Sequence, residues 1–382
     1  MTRTERLLAE LIALPSVNPA FAPPEGASVR PVREVYGEKD VADFLAAKAA
    51  KAGLEIEFQK VLPNRSNLLV RLLPKNQVKQ TILLAPHMDT VGATDSQFHP
   101  RRKNGRLYGR GACDTKGSVA AMLTALFELA ESRSRPADTQ VVFAGLIDEE
   151  QAQAGSRALT ASGFRADLAI VGEPTKLRVV TAHKGSLWLQ LVTRGKAAHG
   201  ATPHLGKNAI HEMARIVDLL ETEYAAQLRR RKHPLLGTAT VNVGKIAGGA
   251  QPNIVPAACA ILVDRRTLPG ETDPLVVREI AALLRKKNLR AEISDTKVAP
   301  APALETDARL PLVRQLFAAA RQTRPVGVDY FCDAAVLAAG GIPGVAFGPG
   351  DIAKAHTSDE WIALAQLERA KNLLLKFLKS LS

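Results

Sequence analysis

The segment VVFAGLIDEE, residues 141–150, joins a short apolar run directly to three acidic residues. Three similar apolar runs occur elsewhere: TILLA at 81–85, LAIVG at 168–172 and GVAFG at 344–348. Their length and the turn residues around them are typical of buried parallel strands. Helical stretches such as 118–130 lie between them. This alternation predicts an α/β fold, with a mostly parallel sheet and helices on both faces.

The pattern changes in the middle of the chain, where longer and partly alternating strands replace the short apolar runs. Two helical stretches, near 206–228 and 273–287, separate these strands, which is α+β patterning. The α/β pattern then resumes and continues to the last helix. We therefore predict a domain composed of residues 1–179 and 293–382, with a smaller α+β domain at 180–292 inserted into it.

Length and composition indicate an ordinary globular protein. The 382 residues correspond to about two or three domains of ~150 residues, and 46% apolar with 23% charged residues is ordinary usage. No apolar run approaches the ~18 residues of a membrane span, and charged residues interrupt the leucines of the amino-terminal segment, which predicts an amphipathic helix instead of a signal peptide. The three scattered cysteines form no disulfide framework. We expect a cytoplasmic protein without membrane association.

The formal net charge of +13 raises the possibility of an acidic partner such as a nucleic acid. The basic residues are spread along the chain, and the one dense run is RRRK at 229–232, beside His233. Only 4% of the residues are aromatic, so few side chains are available to stack on bases. A solvated charged surface is therefore favoured over nucleic-acid binding.

Ionisable side chains follow each of the four apolar runs within a few residues. Together with Asp114 in the glycine-flanked loop RGACDTKG, they are His87, Asp89, Asp148, Glu149, Glu150, Glu173 and His356. Because ligands bind at the carboxyl ends of parallel strands, we expect these side chains to share one crevice. Any one of them alone is more simply explained as a helix cap or a surface residue. Together, two imidazoles and several carboxylates indicate a divalent metal site, and nitrogen and oxygen ligands without thiolates suit zinc, cobalt or manganese.

Five segments resemble the signatures of one enzyme family. They are PHMDTVG, GRGACDTKGSVAAML, DEEQAQAGS, IVGEPT and GPGDIAKAHTSDEW, and they occur in the expected order over nearly the whole chain. The chain thereby resembles the M20 metallopeptidases and deacylases. The glutamate of the GEPT segment and the GPGDIAKAH segment make the deacylase branch the more similar one.

The resemblance implies a role for each residue of the predicted crevice. Five of them would hold two divalent ions, zinc or cobalt: His87, Asp114, Glu150, Glu173 and His356. Asp114 would bridge the two ions, and the peptide bond after it would be cis. Glu149 would be the general base, and Asp89 would orient the imidazole of His87.

The inserted domain also contains segments that resemble the family. GKAAHGATPHLGKNAI implies that His199 reaches the active site of a partner subunit, and thus a homodimer. NVGKIAGGAQPNIVP and LVDRRTLPGE imply that Asn253 and Arg266 bind a substrate carboxylate. Arg265 is the alternative to Arg266, and an arginine suits this task through its bidentate fork.

These observations predict a metal-dependent hydrolase that cleaves the amide bond of a small N-acyl amino acid. N-acetylornithine is the first candidate substrate and N-succinyl-diaminopimelate the second. A dipeptidase or carboxypeptidase is an alternative within the same enzyme class. A nonenzymatic nucleic-acid-binding protein is the alternative from another class, and salt-dependent retention on DNA would favour it.

Overall fold

The computed structural model describes residues 1–22, 35–132 and 134–381. The helices are α1 (Arg3–Ile12), α2 (Lys39–Lys51), α3 (Lys116–Ala130), α4 (Ala154–Ala161), α5 (Ala209–Leu219), α6 (Ala225–Leu228), α7 (Asp273–Lys286), α8 (Pro311–Ala320), α9 (Asp333–Ala339) and α10 (Leu364–Lys379). The strands are β1 (Glu55–Leu62), β2 (Arg65–Leu72), β3 (Gln80–Ala85), β4 (Arg101–Lys103), β5 (Arg106–Tyr108), β6 (Thr139–Gly145), β7 (Leu168–Val171), β8 (Val180–His183), β9 (Gly185–Arg194), β10 (Lys232–His233), β11 (Gly237–Thr238), β12 (Thr240–Gly248), β13 (Ala258–Thr267), β14 (Glu292–Asp295), β15 (Leu304–Glu305), β16 (Val326–Val328), β17 (Gly344–Ala346) and β18 (Trp361–Ala363).

The four apolar runs form the centre of the main sheet, as predicted. The strand order is β1-β2-β6-β3-β7-β17, followed by β8. β3 lies between β6 and β7 and is parallel to both, and β17 is parallel to β7. β1 and β2 add an antiparallel edge. The mixed α/β fold class with a mostly parallel central sheet is thus confirmed, and the carboxyl ends of β3, β6, β7 and β17 lie on one side of it.

Helix α3 is apolar on nearly all of its faces. Nearly all of its residues are buried, and it packs against α1 and α10. Helix α2 stops where Gly53 adopts a φ of +70°, a left-handed conformation that glycine takes without strain. Among the residues that the structure describes, no helix is both long and apolar enough to cross a membrane.

The chain divides into two compact units. The first contains residues 1–181, 306–326 and 332–382, and the second contains residues 182–305 and 327–331. The second unit therefore extends to residue 305, beyond the 292 predicted from the change in strand pattern. In it, an antiparallel sheet with strand order β12-β13-β9-β14 packs against α5.

Candidate metal centre

The predicted metal ligands lie in the loops at the carboxyl ends of the parallel strands, within the first unit. They follow β3 (His87), β6 (Glu150), β7 (Glu173) and β17 (His356), and Asp114 stands just before α3. Ligand atoms of His87, Asp114 and Glu150 all lie within 4.8 Å of one another. The strand ends therefore bring residues that are far apart in sequence to one place, as the topology of a parallel sheet predicts.

Asp114 lies between the two histidines. Its Oδ1 is 3.2 Å from Nε2 of His87, and its Oδ2 is 3.2 Å from Nε2 of His356. Nε2 of His356 is also 3.2 Å from Oε1 of Glu150. The peptide bond between Asp114 and Thr115 is cis, as the resemblance implied. Each carboxylate oxygen of Asp114 thus faces a different imidazole, which is the arrangement needed to bridge two ions.

Asp89 connects the His87 imidazole to the loop that carries the two glutamates. It is fully buried, and its Oδ1 is 3.3 Å from Nδ1 of His87, while its backbone oxygen is 3.0 Å from the same nitrogen. The backbone N–H groups of Glu149 and Glu150 donate to its two carboxylate oxygens at 3.1 Å. A proton held on Nδ1 of His87 by these acceptors leaves the Nε2 lone pair for a metal ion.

The surroundings of two glutamates in this cluster disfavour a negative charge. Burial raises the pKa of Glu173 well above its ordinary value, and the negative charge of Asp114 adds to the shift. One carboxylate oxygen of Glu173, Oε1, is buried without a hydrogen-bond partner. Burial likewise raises the pKa of Glu149, against the opposing charge of His87 and with a further contribution from Glu173. Buried carboxylates that repel one another and leave an oxygen unsatisfied are what a bound cation relieves.

Neighbouring carboxylates raise the pKa values of the two histidines. Burial alone would lower the pKa of His87, but its hydrogen bonds to Asp114 and Asp89 raise that pKa well above the ordinary value. Hydrogen bonds to Asp114 and Glu150 raise the pKa of His356 to about 10. A proton and a metal ion compete for the same imidazole nitrogen. The donor set of imidazole nitrogens and carboxylate oxygens therefore fits zinc or another divalent transition-metal ion.

A buried polar network, which the sequence did not predict, supports Asp89. The side-chain amide of Asn18 donates to Asp89 at 2.8 Å and to Asp148 at 3.0 Å. Arg65 pairs with Asp148 at 3.0 Å and with Glu38 at 2.5 Å. These partners come from four separate segments, so no spacing pattern could identify them. The DEE sequence placed Asp148 in the predicted crevice, and the structure shows that it contacts Asn18 and Arg65.

Asp333 is buried in the same unit, at the start of α9. The Ser156 hydroxyl donates to its Oδ1 at 2.6 Å, while Oδ2 has no hydrogen-bond partner. Burial raises the pKa of Asp333 to about 6, although Ser156 and His87 oppose the shift. Its charge interacts with those of His87 and Asp89, so it contributes to the electrostatics of the cluster.

In the second unit, the segments that carry His199 and Asn253 lie side by side. His199 pairs with Ile254 in an antiparallel bridge, and the Gly200 N–H donates to the Asn253 oxygen at 2.7 Å. The Ala201 N–H donates to Nδ1 of His199 at 3.1 Å. A neutral ring that accepts at Nδ1 carries its proton on Nε2. His199 and Asn253 are both exposed.

The structure distinguishes the two arginines of strand β13. Arg265 is fully buried, and its guanidinium donates to Glu271 at 2.7 Å and to the Tyr224 hydroxyl at 3.2 Å. The Arg266 side chain is 30% exposed and pairs with Asp264 at 3.0 Å. Because neighbouring residues of a strand point to opposite faces, Arg265 stabilises the interior while Arg266 stays accessible. Arg266, for which the resemblance implied substrate binding, is thus the accessible one of the two arginines.

The fold and the His/Asp/Glu cluster are those of a metallopeptidase-like hydrolase. Residues 83–380 match the family model described as Peptidase family M20/M25/M40. The chain belongs to this family, and it is accordingly an enzyme of the hydrolase class.

Individual relatives agree with this assignment. An acetylornithine deacetylase of Myxococcus xanthus is 33% identical over 350 residues, which covers 87% of this chain and 90% of that protein. The aminopeptidase PepT of Bacillus cereus has a TM-score of 0.78 at 22% identity, and the match covers 99% of this chain and 97% of that one. The Bacillus subtilis YXEP protein, described as a dinuclear metal-binding peptidase of family M20, has a TM-score of 0.72 at 14% identity, with coverage of 99% and 97%. At these identities the two solved structures establish the fold alone.

Proposed function

We propose that the protein removes the acyl group from an N-acyl amino acid, with N-acetylornithine as the first candidate, and that it uses two divalent ions, zinc or cobalt. The observation that carries this proposal is the position of Asp114, whose two oxygens each face one histidine. His87 and Glu173 would hold one ion, and Glu150 and His356 the other. The similarity to acetylornithine deacetylases over most of the chain favours the deacylase over a peptidase.

When bound, the ions would polarise the amide carbonyl and lower the pKa of a water molecule at the site. Glu149 would accept the proton of that water on its carboxylate. Burial raises the pKa of this carboxyl group above its ordinary value, and a raised pKa makes a carboxylate a stronger proton acceptor. The same carboxyl group would then deliver the proton to the departing amine nitrogen.

Residues of the second unit would bind the substrate and stabilise the developing negative charge. The Nε2–H of His199 would donate to the carbonyl oxygen, in keeping with the hydrogen bond that Nδ1 accepts from Ala201. Arg266 and Asn253 would bind the carboxylate of the amino acid. We further propose that His199 acts across the interface of a homodimer and that the enzyme works in the cytoplasm, where its buried thiols Cys113 and Cys259 would stay reduced.

A substrate panel tests this proposal. The metal-reconstituted protein is incubated with N-acetyl, N-succinyl and other N-acyl amino acids and with dipeptides, with zinc or cobalt added, and the release of free amine is measured. Fastest turnover of N-acetylornithine supports the proposal. A preference for the N-succinyl substrate would change the assigned acyl group, and a preference for dipeptides would identify a peptidase. If no substrate is hydrolysed with either metal, the proposal is overturned.

The two arginines of β13 provide a test of substrate binding. Replacing Arg266 by methionine removes the proposed carboxylate contact and is expected to raise KM about 10- to 150-fold, because hydrogen bonds to charged groups contribute about 1.5–3 kcal/mol. Replacing Arg265 by methionine leaves Glu271 and Tyr224 without their buried partner. The Arg265→Met variant should therefore have a lower Tm than the wild type. Steady-state kinetics and thermal unfolding of both variants distinguish the roles, and a KM increase confined to Arg265→Met would contradict the assignment.

A complementation experiment tests the proposed role of His199 across subunits. His199→Ala and Glu149→Ala chains are each expected to be nearly inactive, whereas a mixed dimer has one site with both groups intact. We expect about one active site per mixed dimer, that is, up to half of the wild-type activity per dimer. Differently tagged chains allow the mixed dimers to be purified before assay. Purified mixed dimers that remain inactive would exclude an action of His199 across subunits.

A further inference from the structure

Glu360 places a buried carboxylate beneath the loop that presents Asp114. Its side chain is fully buried, and it lies four residues after His356. Its Oε1 accepts the backbone N–H groups of Cys113 at 2.8 Å and Asp114 at 3.0 Å. Its Oε2 accepts the N–H of Gly111 at 3.0 Å and Nη1 of Arg110 at 2.7 Å. One carboxylate thus satisfies four donors of the segment that ends at Asp114.

The main chain around Glu360 is attached to the same segment. Its backbone oxygen accepts the N–H of Gly109 at 3.1 Å. The next residue, Trp361, pairs with Tyr108 between β18 and β5 of a three-stranded sheet, whose third strand is β4. The segment after His356 is therefore bound to the segment before Asp114 by backbone hydrogen bonds as well as by the Glu360 side chain.

We propose that Glu360 is a positioning residue of the metal centre, which fixes the backbone at Asp114 and thereby keeps the two Asp114 oxygens between His87 and His356. The inference rests on the proposed function, since it assumes that Asp114 holds metal. Groups that orient metal ligands are energetically coupled to metal affinity, and their loss typically costs about 10- to 100-fold. Arg110 balances the buried charge through its 2.7 Å ion pair with Glu360.

A glutamine at position 360 has nearly the same shape but the wrong hydrogen-bonding character. Both oxygens of Glu360 accept two N–H groups each. An amide offers one accepting oxygen and one NH₂ donor. Whichever way it is turned, the NH₂ group faces two donors, and two buried N–H groups lose their acceptor. Glu360→Gln therefore tests the hydrogen bonds with little change in volume.

The test measures zinc affinity of the apoprotein by competition with a chromophoric chelator, so that it does not depend on turnover. We expect Glu360→Gln to raise the zinc Kd about 10- to 100-fold. Glu360→Asp keeps two accepting oxygens on a shorter side chain and should raise the Kd less. If Glu360→Gln does not fold, as judged by circular dichroism, the Kd of Glu360→Asp decides: a raised value supports the proposal. A wild-type Kd in every variant that folds overturns it.

Two controls separate this inference from general destabilisation and from the proposed function. Glu271 is a carboxylate of the second unit whose side chain is 9% exposed, and it accepts from Arg265 at 2.7 Å, from the Leu268 N–H at 2.8 Å and from Arg231 at 3.0 Å. Glu271→Gln should lower Tm without changing the zinc Kd. A Kd raised equally in this control would attribute the effect to destabilisation and overturn the positioning role. Failure of the wild-type protein to bind two ions refutes the proposed function, whereas normal wild-type binding with an unchanged Kd in the Glu360 variants refutes only the inference.

Discussion

Replacing Glu149 by glutamine is expected to lower kcat about 100- to 10,000-fold, the usual contribution of a positioned general base. The amide has almost the same volume, but it cannot take a proton from water or return one to the amine. Metal content should stay close to wild type, because Glu149 is proposed to accept the proton of the attacking water and is not one of the five proposed metal ligands. The measurements are kcat and metal stoichiometry on the same preparation.

The neighbouring residue provides the matched control. Glu150→Gln removes a carboxylate that faces Nε2 of His356 at 3.2 Å, and it should lose metal as well as activity. The backbone N–H groups of Glu149 and Glu150 both donate to Asp89. The two residues therefore have similar backbone surroundings, and the two variants differ in the proposed role of the side chain that is replaced. Near-native kcat for Glu149→Gln, or equal metal loss in the two variants, would show that base and ligand have been assigned wrongly within this pair.

The central strands could be predicted because short stretches of neighbouring residues determine them. Runs such as VVFAGLI are apolar over a strand length, and they became strands of the parallel sheet. The rule that carboxyl ends of such strands meet then placed His87, Glu150 and Glu173 in one crevice. The same reasoning left the boundary of the second unit at 292, since it followed strand pattern alone, whereas the compact unit extends to 305.

The groups that orient the site could not be predicted in the same way. Glu360 and Asp114 are 246 positions apart, and Asn18 is 71 positions from Asp89. Nothing in the local sequence distinguishes a glutamate that will be buried under four donors from one on the surface. Even within β13, only the structure shows which of Arg265 and Arg266 is buried, because the sequence does not record which face of the strand packs inward. Such positions depend on tertiary packing, which short-range patterns do not record.

Replacing Asp114 by alanine is expected to abolish metal binding and, with it, activity at least as completely as the loss of Glu149. Asp114 places one carboxylate oxygen 3.2 Å from each histidine, so its removal would take a ligand from each proposed ion at once. Zinc should also cease to stabilise the variant. At a free zinc concentration about 100 times its Kd, a bound ion stabilises the folded wild-type protein by about 2.7 kcal/mol.

Thermal unfolding with and without zinc, together with metal analysis, measures both consequences for Asp114→Ala. The apo forms of the variant and the wild type provide the baseline, because removal of the carboxylate breaks its contacts with His87 and His356 and also relieves its repulsion of Glu150 and Glu173. The gain in Tm on adding zinc, measured for each protein against its own apo form, should appear in the wild type and be absent in the variant. If Asp114→Ala keeps both ions or gains as much Tm from zinc as the wild type, Asp114 does not bridge the ions, and the ligands would have to be reassigned among the remaining residues of the cluster.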